Sequence, residues 1–365
     1  MTSPLVTTAL SFVDGDAGVL AYRGVRLEDV VADGYVAAAA RLLSGVTAAA
    51  NGVGAQLVAR PVPAWARDVL AAAPPRLPPM ARLRLLVAAL DDDGSDADSE
   101  GRDDAGLRAA GLYGRLVGLL GPRAAHTAPG PTTDGYVASI LRGVRGDRAG
   151  SVDSGRDDDG ARDDAAILGA CFVVHLDHAL NPGTLAVRTA ASTGASLSAC
   201  VSAGLGALEG PLHGGASSAV GALLADLAGP AAVDATLDAL AARRARVPGF
   251  GHPVYRRHDP RAAVLRGLCV RAAARHGHGV LDIATALEAR VVDRSAGRLF
   301  ANVDFYAAAL YATLGIPLQL HTPLFFAARV VGWLAHVREQ RAQRRVISPE
   351  AGYDGLPLAP GSAPR

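Results

Sequence analysis

Three short segments hold the residues best able to do chemistry. They are Gly210-Pro211-Leu212-His213-Gly214-Gly215, Gly249-Phe250-Gly251-His252-Pro253-Val254-Tyr255 and Asn302-Val303-Asp304-Phe305-Tyr306. Each sets one titratable side chain beside turn-forming or capping residues. Two imidazoles and a carboxylate held in this way supply general acid–base chemistry on a carbon acid. Gly214 and Gly215 allow close backbone approach to His213. A neutral imidazole there donates a hydrogen bond to a carbonyl or enolate oxygen, and a nearby helix N-terminus favours the neutral form. The competing reading of a lone histidine in a glycine loop is structural. Asp304 precedes a helical stretch. It is either an N-cap or a general base kept ionised by the helix dipole.

Further candidates surround these. His175, Asp177 and His178 end an apolar helical stretch, and the two histidines share a face. A metal site there lacks a local third ligand at a familiar spacing; an anion contact and a structural role are the alternatives. Arg256-Arg257-His258-Asp259-Pro260-Arg261 is either a solvated charged face or an anion clamp, for which the forked donors of arginine suit carboxylate and phosphate. Arg329 lies in a strongly apolar helix with Trp333 one turn on. A buried arginine is costly unless paired, so it must meet an internal acid or face an anionic ligand.

The elements that position these residues are helical. The chain has 365 residues, half of them apolar and only 5% aromatic. That length supports a large core and two domains, and the alanine load favours helix. A helix is expected from about Leu27 to Leu43, residues 46–63 are poorly patterned, and residues 82–90 have helical spacing. From Ala165 onward the pattern is helical with breaks near Pro182, Pro211, Pro230, Pro248, Gly277 and Pro317. Residues 11–16 predict a short extended piece and a turn. No alternating strand series and no phosphate-loop spacing occurs, so the fold class is all-α. The acidic stretches 91–104 and 151–164 match no calcium loop and are expected to be solvated, mobile loops.

Formal net charge is +1, which points to neither nucleic acid nor an anionic membrane. Every basic residue is arginine, which removes Schiff-base chemistry through lysine. Cys171, Cys200 and Cys269 sit in apolar stretches without a CxxC, as expected of free thiols in a reducing cytoplasm. The N-terminus shows no signal-peptide pattern.

Taken in order, these segments resemble the citrate synthase family. The matching text is Val13-Asp14-Gly15, Tyr22-Arg23-Gly24, residues 175–181, 210–216, 248–262 and 302–317, and residues 329–336. The resemblance implies an all-α homodimer with a large domain from 1–219 and 318–365 and a smaller domain, 220–317, that closes over the substrates. It implies condensation of acetyl-CoA with oxaloacetate and hydrolysis of the resulting thioester, with an acyl-CoA as cosubstrate, no permanently bound cofactor and no metal. By position, Asp304 is the base, His213 the donor to the enolate oxygen and His252 the acid that polarises the ketone. His178, Arg261 and Arg329 hold oxaloacetate, while Val247, Gly249, Phe250, Gly251 and Arg256 receive coenzyme A.

Three departures stand out. Where the family places the two arginines of an Arg-Pro-Arg segment, this chain has Ser348 and Glu350. Ser217 and Ser218 replace Asn-Glu after the His213 motif, and Pro253 follows His252 where a basic residue is common. Losing one charge-assisted carboxylate contact weakens binding by about 1.5–3 kcal/mol, roughly ten- to a hundred-fold or more. The expectation is therefore activity with weakened or altered oxo-acid recognition. The alternatives are 2-methylcitrate synthase activity on propionyl-CoA, and a non-catalytic paralogue that regulates a true synthase through a mixed dimer.

Overall fold

The computed structural model describes residues 5–45, 53–90, 103–122, 135–146 and 157–356. The chain opens with three strands, β1 (Ser11–Asp14), β2 (Val19–Tyr22) and β3 (Val25–Arg26), in an antiparallel sheet of that order. Ser11 faces Tyr22 and Asp14 faces Val19 across the hairpin. The extended piece and turn expected at 11–16 are the first strand and tip of this hairpin. The pairing itself escaped the pattern because four-residue strands are too short to show alternation.

Helices follow almost without interruption. The first are α1 (Leu27–Asp33), α2 (Tyr35–Ser44), α3 (Val53–Ala59), α4 (Trp65–Ala72) and α5 (Pro79–Ala88). Next come α6 (Asp103–Arg115), α7 (Gly135–Arg145), α8 (Asp157–His175), α9 (Pro182–Ser192) and α10 (Leu197–Leu208). Then come α11 (Gly215–Asp226), α12 (Val233–Ala242), α13 (Pro260–His276), α14 (Gly279–Arg294), α15 (Val303–Thr313) and α16 (His321–Gln343). The fold is all-α apart from the hairpin sheet. Two details differ from expectation. The single helix at 27–43 is two, parted at Gly34, and α3 lies in the stretch read as poorly patterned, packed on α6.

The helix starts obey capping chemistry. Asn181 accepts from Thr184 N–H at 3.0 Å, Asp259 from Arg261 N–H at 3.0 Å and Asn302 from Asp304 N–H at 3.0 Å. Pro182 and Pro260 follow two of these caps, where a missing N–H is harmless. Helix α16 is buried from His321 to Val337 and packs on α2, α6, α8, α9 and α10. A helix covered on all sides loses its amphipathic stripe.

The second acidic stretch is only partly accounted for by a solvated loop. Residues 91–102 and 151–156 lie outside the described residues. Residues 157–164 instead form the first turns of α8, and the carboxylates of Asp163 and Asp164 have partners. Asp163 accepts from Arg271 at 2.8 Å. Asp164 accepts from Arg145 at 2.8 Å and pairs with His276 at 2.9 Å. Among the described residues, no single helix is long and apolar enough to cross a membrane. Cys171, Cys200 and Cys269 are buried and form no disulfide among the described residues.

One buried polar knot joins the hairpin, α8 and α16. The Asp177 carboxylate accepts from His336 Nε2 at 3.2 Å, from Ser11 Oγ and from Ala179 N–H at 3.2 Å. Arg188 donates to His336 Nδ1 at 3.0 Å, which leaves the His336 proton on Nε2 for Asp177. Tyr22 donates its hydroxyl to the carbonyl of Val173 at 3.0 Å. Asp177→Ala strands several buried donors at once and is expected to destabilise the protein by about 3–5 kcal/mol. Urea unfolding of the variant beside the wild type measures this.

Candidate active site

The loop that carries His252 is stitched to the start of α15. Gly251 N–H donates to the carbonyl of Phe300 at 2.8 Å, and Asn302 N–H to that of Gly249 at 2.9 Å. The Asn302 side chain donates to the Gly251 carbonyl at 2.9 Å. The rings of Phe250 and Phe305 pack at an inclination of 56°, 4.8 Å between centres. Gly249 has φ of 82°, and a Cβ there would lie 2.7 Å from Val220, so the loop bends where only glycine fits. Asp304 is thereby presented one residue past Val303 on a fixed helix start.

Asp259 locks the same region from beneath. Its Oδ1 accepts from Arg261 N–H and Nε at 3.0 and 2.9 Å, and its Oδ2 from Arg261 Nη2 at 2.9 Å. Oδ2 also accepts Val303 N–H at 3.0 Å. Burial pushes the Asp259 carboxyl up, but the adjoining Arg261 guanidinium outweighs it and holds the group below the usual carboxylate range. Arg261, equally buried, is held above its usual value by Asp259. The charge pair is therefore intact at neutral pH.

His252 Nδ1 accepts the backbone N–H groups of Val254 and Tyr255, at 3.0 and 3.1 Å. The lone proton of the neutral ring therefore sits on Nε2. That nitrogen is 3.1 Å from Arg261 Nη2, so two donors face one another with no acceptor between them. A ligand oxygen placed there relieves the conflict. Tyr255 continues the set. Its hydroxyl is 3.1 Å from His178 Nε2, and its ring lies 5.4 Å from the Arg261 guanidinium.

Arg329 comes from the middle of α16. Its Nε donates to the His175 carbonyl at 2.6 Å, and its guanidinium lies 4.8 Å from the Phe325 ring. No ion pair among the described residues includes it. Of the two readings open for this arginine, an internal acid partner is not what the geometry supplies. His213 lies on the other side of Phe325, with 6.1 Å between ring centres. Its Nε2 is buried without a partner, beside Gly183 in the first turn of α9. A first helical turn disfavours positive charge beside that nitrogen, which supports the neutral ring.

Burial sets the protonation states. It lowers His213 to about 4, with Arg329 adding to the effect. It lowers His252 to about 4, aided by Arg261. His178 falls well below its usual value for the same first cause. All three imidazoles are neutral at pH 7. Asp304 moves the other way, to about 6, because burial outweighs the attraction of Arg261. The helix dipole is expected to keep this group ionised; burial works against that and narrows the ionised range to above about 6. The desolvation of a carboxylate in a narrow cleft exceeds a dipole contribution of about 0.3–1 kcal/mol. Asn302, not Asp304, is the N-cap.

The structure thus brings His178, His252, Arg261 and Tyr255 into direct contact and places Asp304 and Arg329 within their field. The 247–251 loop borders the set. Arg256 stands mostly in solvent, 3.8 Å from Asp16. Ser348 and Glu350 are exposed on the segment beyond α16. His175 and His178 do not share a ligand position. His175 Nδ1 pairs with the Cys171 carbonyl at 2.8 Å, and among the described residues no group of three His, Cys, Asp or Glu is placed to hold a metal. Tyr255 and Asp259 were missed as functional residues. Asp-Pro at a helix start is a cap signal that could have marked Asp259; no local pattern marks Tyr255.

The chain matches the sequence model of the citrate synthase C-terminal domain over residues 2–350. It is 32% identical to the citrate synthase of Acidithiobacillus ferridurans, covering 95% of this chain and 92% of that one. The protein belongs to the citrate synthase family. The family match extends beyond the C-terminal segment to the hairpin, and it agrees with solved structures. The citrate synthase of Thermotoga maritima superposes with a TM-score of 0.82 at 26% identity, covering 99% of this chain and 96% of that one. The Thermoplasma acidophilum citrate synthase, solved with carboxymethyl coenzyme A and oxaloacetate, gives 0.81 at 26% identity over the same shares. A 2-methylcitrate synthase of Shewanella oneidensis is 37% identical over 52% of this chain and 50% of its own length. As a member of the citrate synthase family the protein is an enzyme, an acyltransferase.

The raised carboxyl of Asp304 has a consequence for stability. The folded state holds this proton more tightly than the unfolded chain, so its contribution is full below about pH 4. It is lost as pH rises through about 6. Above that pH the ionised carboxylate opposes folding by about 1–3 kcal/mol, reduced from the full shift because the group is only partly covered. Asp304→Asn is expected to raise the urea midpoint at pH 8 and to leave it nearly unchanged at pH 4. Unfolding curves at the two pH values check the sign.

Proposed function

We propose that this site condenses acetyl-CoA with oxaloacetate and hydrolyses the citryl-CoA thioester to citrate and coenzyme A. The observation that carries the reading is a carboxyl held at about 6 in a cleft with neutral imidazoles and two buried arginines. A thioester methyl is a weak carbon acid. A base poised near neutral pH suits it, provided that a preorganised donor meets the developing oxyanion.

In this scheme the Asp304 carboxylate takes a methyl proton and the neutral His213 ring donates a hydrogen bond to the enol or enolate oxygen. The carbon attacks the oxaloacetate ketone, whose oxygen receives the His252 Nε2 proton as the new carbon–carbon bond forms. His178, Arg261 and Arg329 hold the substrate carboxylates. Water then adds to the thioester carbonyl and coenzyme A leaves as the thiol. Val247, Gly249, Phe250, Gly251 and exposed Arg256 would receive coenzyme A, which is a cosubstrate and not a resident cofactor. The 220–317 segment would close as a smaller domain and exclude water. A cytoplasmic homodimer suits this reading, with the exposed segment after α16 reaching across to the partner.

Two observations support second readings. The similarity to a 2-methylcitrate synthase favours propionyl-CoA as an acyl donor, since one methylene alters selectivity by only about 1–3 kcal/mol. The exposed segment with Ser348 and Glu350 favours a regulatory subunit in a mixed dimer.

Thiol release from acetyl-CoA by the purified protein tests the proposal. Release should depend on oxaloacetate and fall by about 10²–10⁴-fold in Asp304→Ala. It should lose about tenfold in kcat/KM per pH unit below about 6, because only ionised Asp304 takes the proton. Ser348→Arg should tighten oxaloacetate by roughly tenfold or more. Faster release from propionyl-CoA would favour the 2-methylcitrate reading. No release from either thioester at millimolar oxaloacetate would end the catalytic reading. Activity restored by mixing with an intact relative would then favour the mixed dimer.

A further inference from the structure

We propose that the tip of the N-terminal hairpin, Gly15 to Gly18, is a positioning device for His252 and, through Tyr255, for His178. The proposal rests on the reading of His252 as the proton donor to the ketone. The tip is folded by its own side chain, since Asp14 Oδ1 accepts the N–H groups of Asp16 and Ala17 at 3.0 and 2.8 Å. It lies directly on residues 254–258, some 240 positions away in sequence. The Gly15 carbonyl accepts Arg256 N–H at 3.0 Å. A Cβ on Gly15 would stand 2.2 Å from the Val254 carbonyl oxygen, and one on Gly18 would stand 2.4 Å from the His258 ring. At Gly15 backbone touches backbone, with room for hydrogen alone.

The stretch gripped in this way is the one that sets both histidines. Three successive backbone N–H groups leave it in two directions. Those of Val254 and Tyr255 point to His252 Nδ1 at 3.0 and 3.1 Å. That of Arg256 points to the hairpin. Displacing the Val254 carbonyl turns its own peptide plane, which also carries the Tyr255 N–H, and weakens the contact that keeps the ring proton on Nε2. The same movement carries the Tyr255 hydroxyl away from His178. The other end of the hairpin is fixed as well, because Ser11 on β1 donates to Asp177, the neighbour of His178. One hairpin therefore spans both supports of the histidine pair. A misplacement of about 1 Å at a reacting group is enough to lower turnover about a hundred-fold.

The test is solid-state ¹⁵N NMR of protein labelled in histidine, with His252 assigned by the signal lost in His252→Gln, alongside steady-state kinetics. In the wild type His252 should show a protonated Nε2 and a bare Nδ1. Gly15→Ala should convert that signal to a mixture of tautomers. It should lower kcat by about ten- to a hundred-fold, with the KM for acetyl-CoA within about two-fold, and lower the urea midpoint, because the added methyl meets backbone. Asp14→Ala loosens the tip without adding bulk and should move the same signal and kcat in the same direction, by a smaller factor. Should Gly15→Ala fail to fold, Asp14→Ala carries the test alone. A wild-type His252 protonated on Nδ1, or a folded variant with unchanged His252 signals and unchanged kcat, overturns the proposal. The tautomer is read without turnover, so a protein inactive on both thioesters would still report whether the hairpin sets the ring.

Discussion

The buried pair of Asp259 and Arg261 is the constraint on which the site depends. A single carboxylate caps α13, holds both faces of the Arg261 fork and accepts the N–H of Val303 at the start of α15. Two helix starts and one cation are thereby fixed to one anion. A bidentate charge-assisted contact fixes direction as well as distance. With the guanidinium so held, its Nη2 must lie beside His252 Nε2. The pair contributes to placement more than to stability, since desolvation of two buried charges offsets much of their attraction. Its geometry is what the fold retains, and an arginine already fixed before a ligand arrives loses little further freedom on binding one.

The same burial that makes this pair necessary tunes its neighbours in opposite directions. Desolvation penalises whichever form is charged. It therefore keeps His213 and His252 neutral and moves Asp304 up to about 6. Arg261 and Arg329 act against burial at Asp304 and with burial at the imidazoles. A carboxylate thus stays available near pH 7 while the imidazoles remain donors and not acids of full charge. A wetter cleft would lose both effects together, because both have one cause.

The chemistry-bearing loops were legible in the sequence because glycine, proline and capping residues punctuate them. The long helices after Ala165 follow from local rules of this kind, although the cap before Val303 is Asn302 and not the Asp304 that the sequence offered. The long-range parts were not legible. Tyr255 joins the set only because the chain folds its hydroxyl onto His178, and nothing in its neighbours signals that contact. Asp259 hides in a basic run whose net appearance is a solvated face, yet burial selects its one acid as the organising charge. Arg329 shows the same limit. The cost of burial left an internal acid or an anionic ligand as its partner, and only the packing of α16 shows that a backbone carbonyl and an aromatic ring hold it, with no internal acid in ion-pair contact among the described residues. The second acidic stretch misled for a related reason. Charge density alone reads as loop, whereas Asp163 and Asp164 find arginine and histidine partners on α13 and α7.

The two polar knots divide the work of support between distant parts of the chain. Asp177 joins β1, the end of α8 and α16, and so sets the turn that bears His178. Asp259 joins α13, α15 and the His252 loop. Each knot is an aspartate that accepts from several backbone and side-chain donors, so each resists substitution by any residue with fewer acceptors. The knots share no hydrogen bond. They meet through the His178–Tyr255 contact and through the hairpin, which touches Asp177 at its root and the 254–256 backbone at its tip. A movement of one half against the other therefore acts on these two links, as it does on the ion pairs that join α8 to α13. That makes the hairpin and Tyr255 the mechanical coupling between the two supports, and places the shared histidine pair where any such movement is felt first.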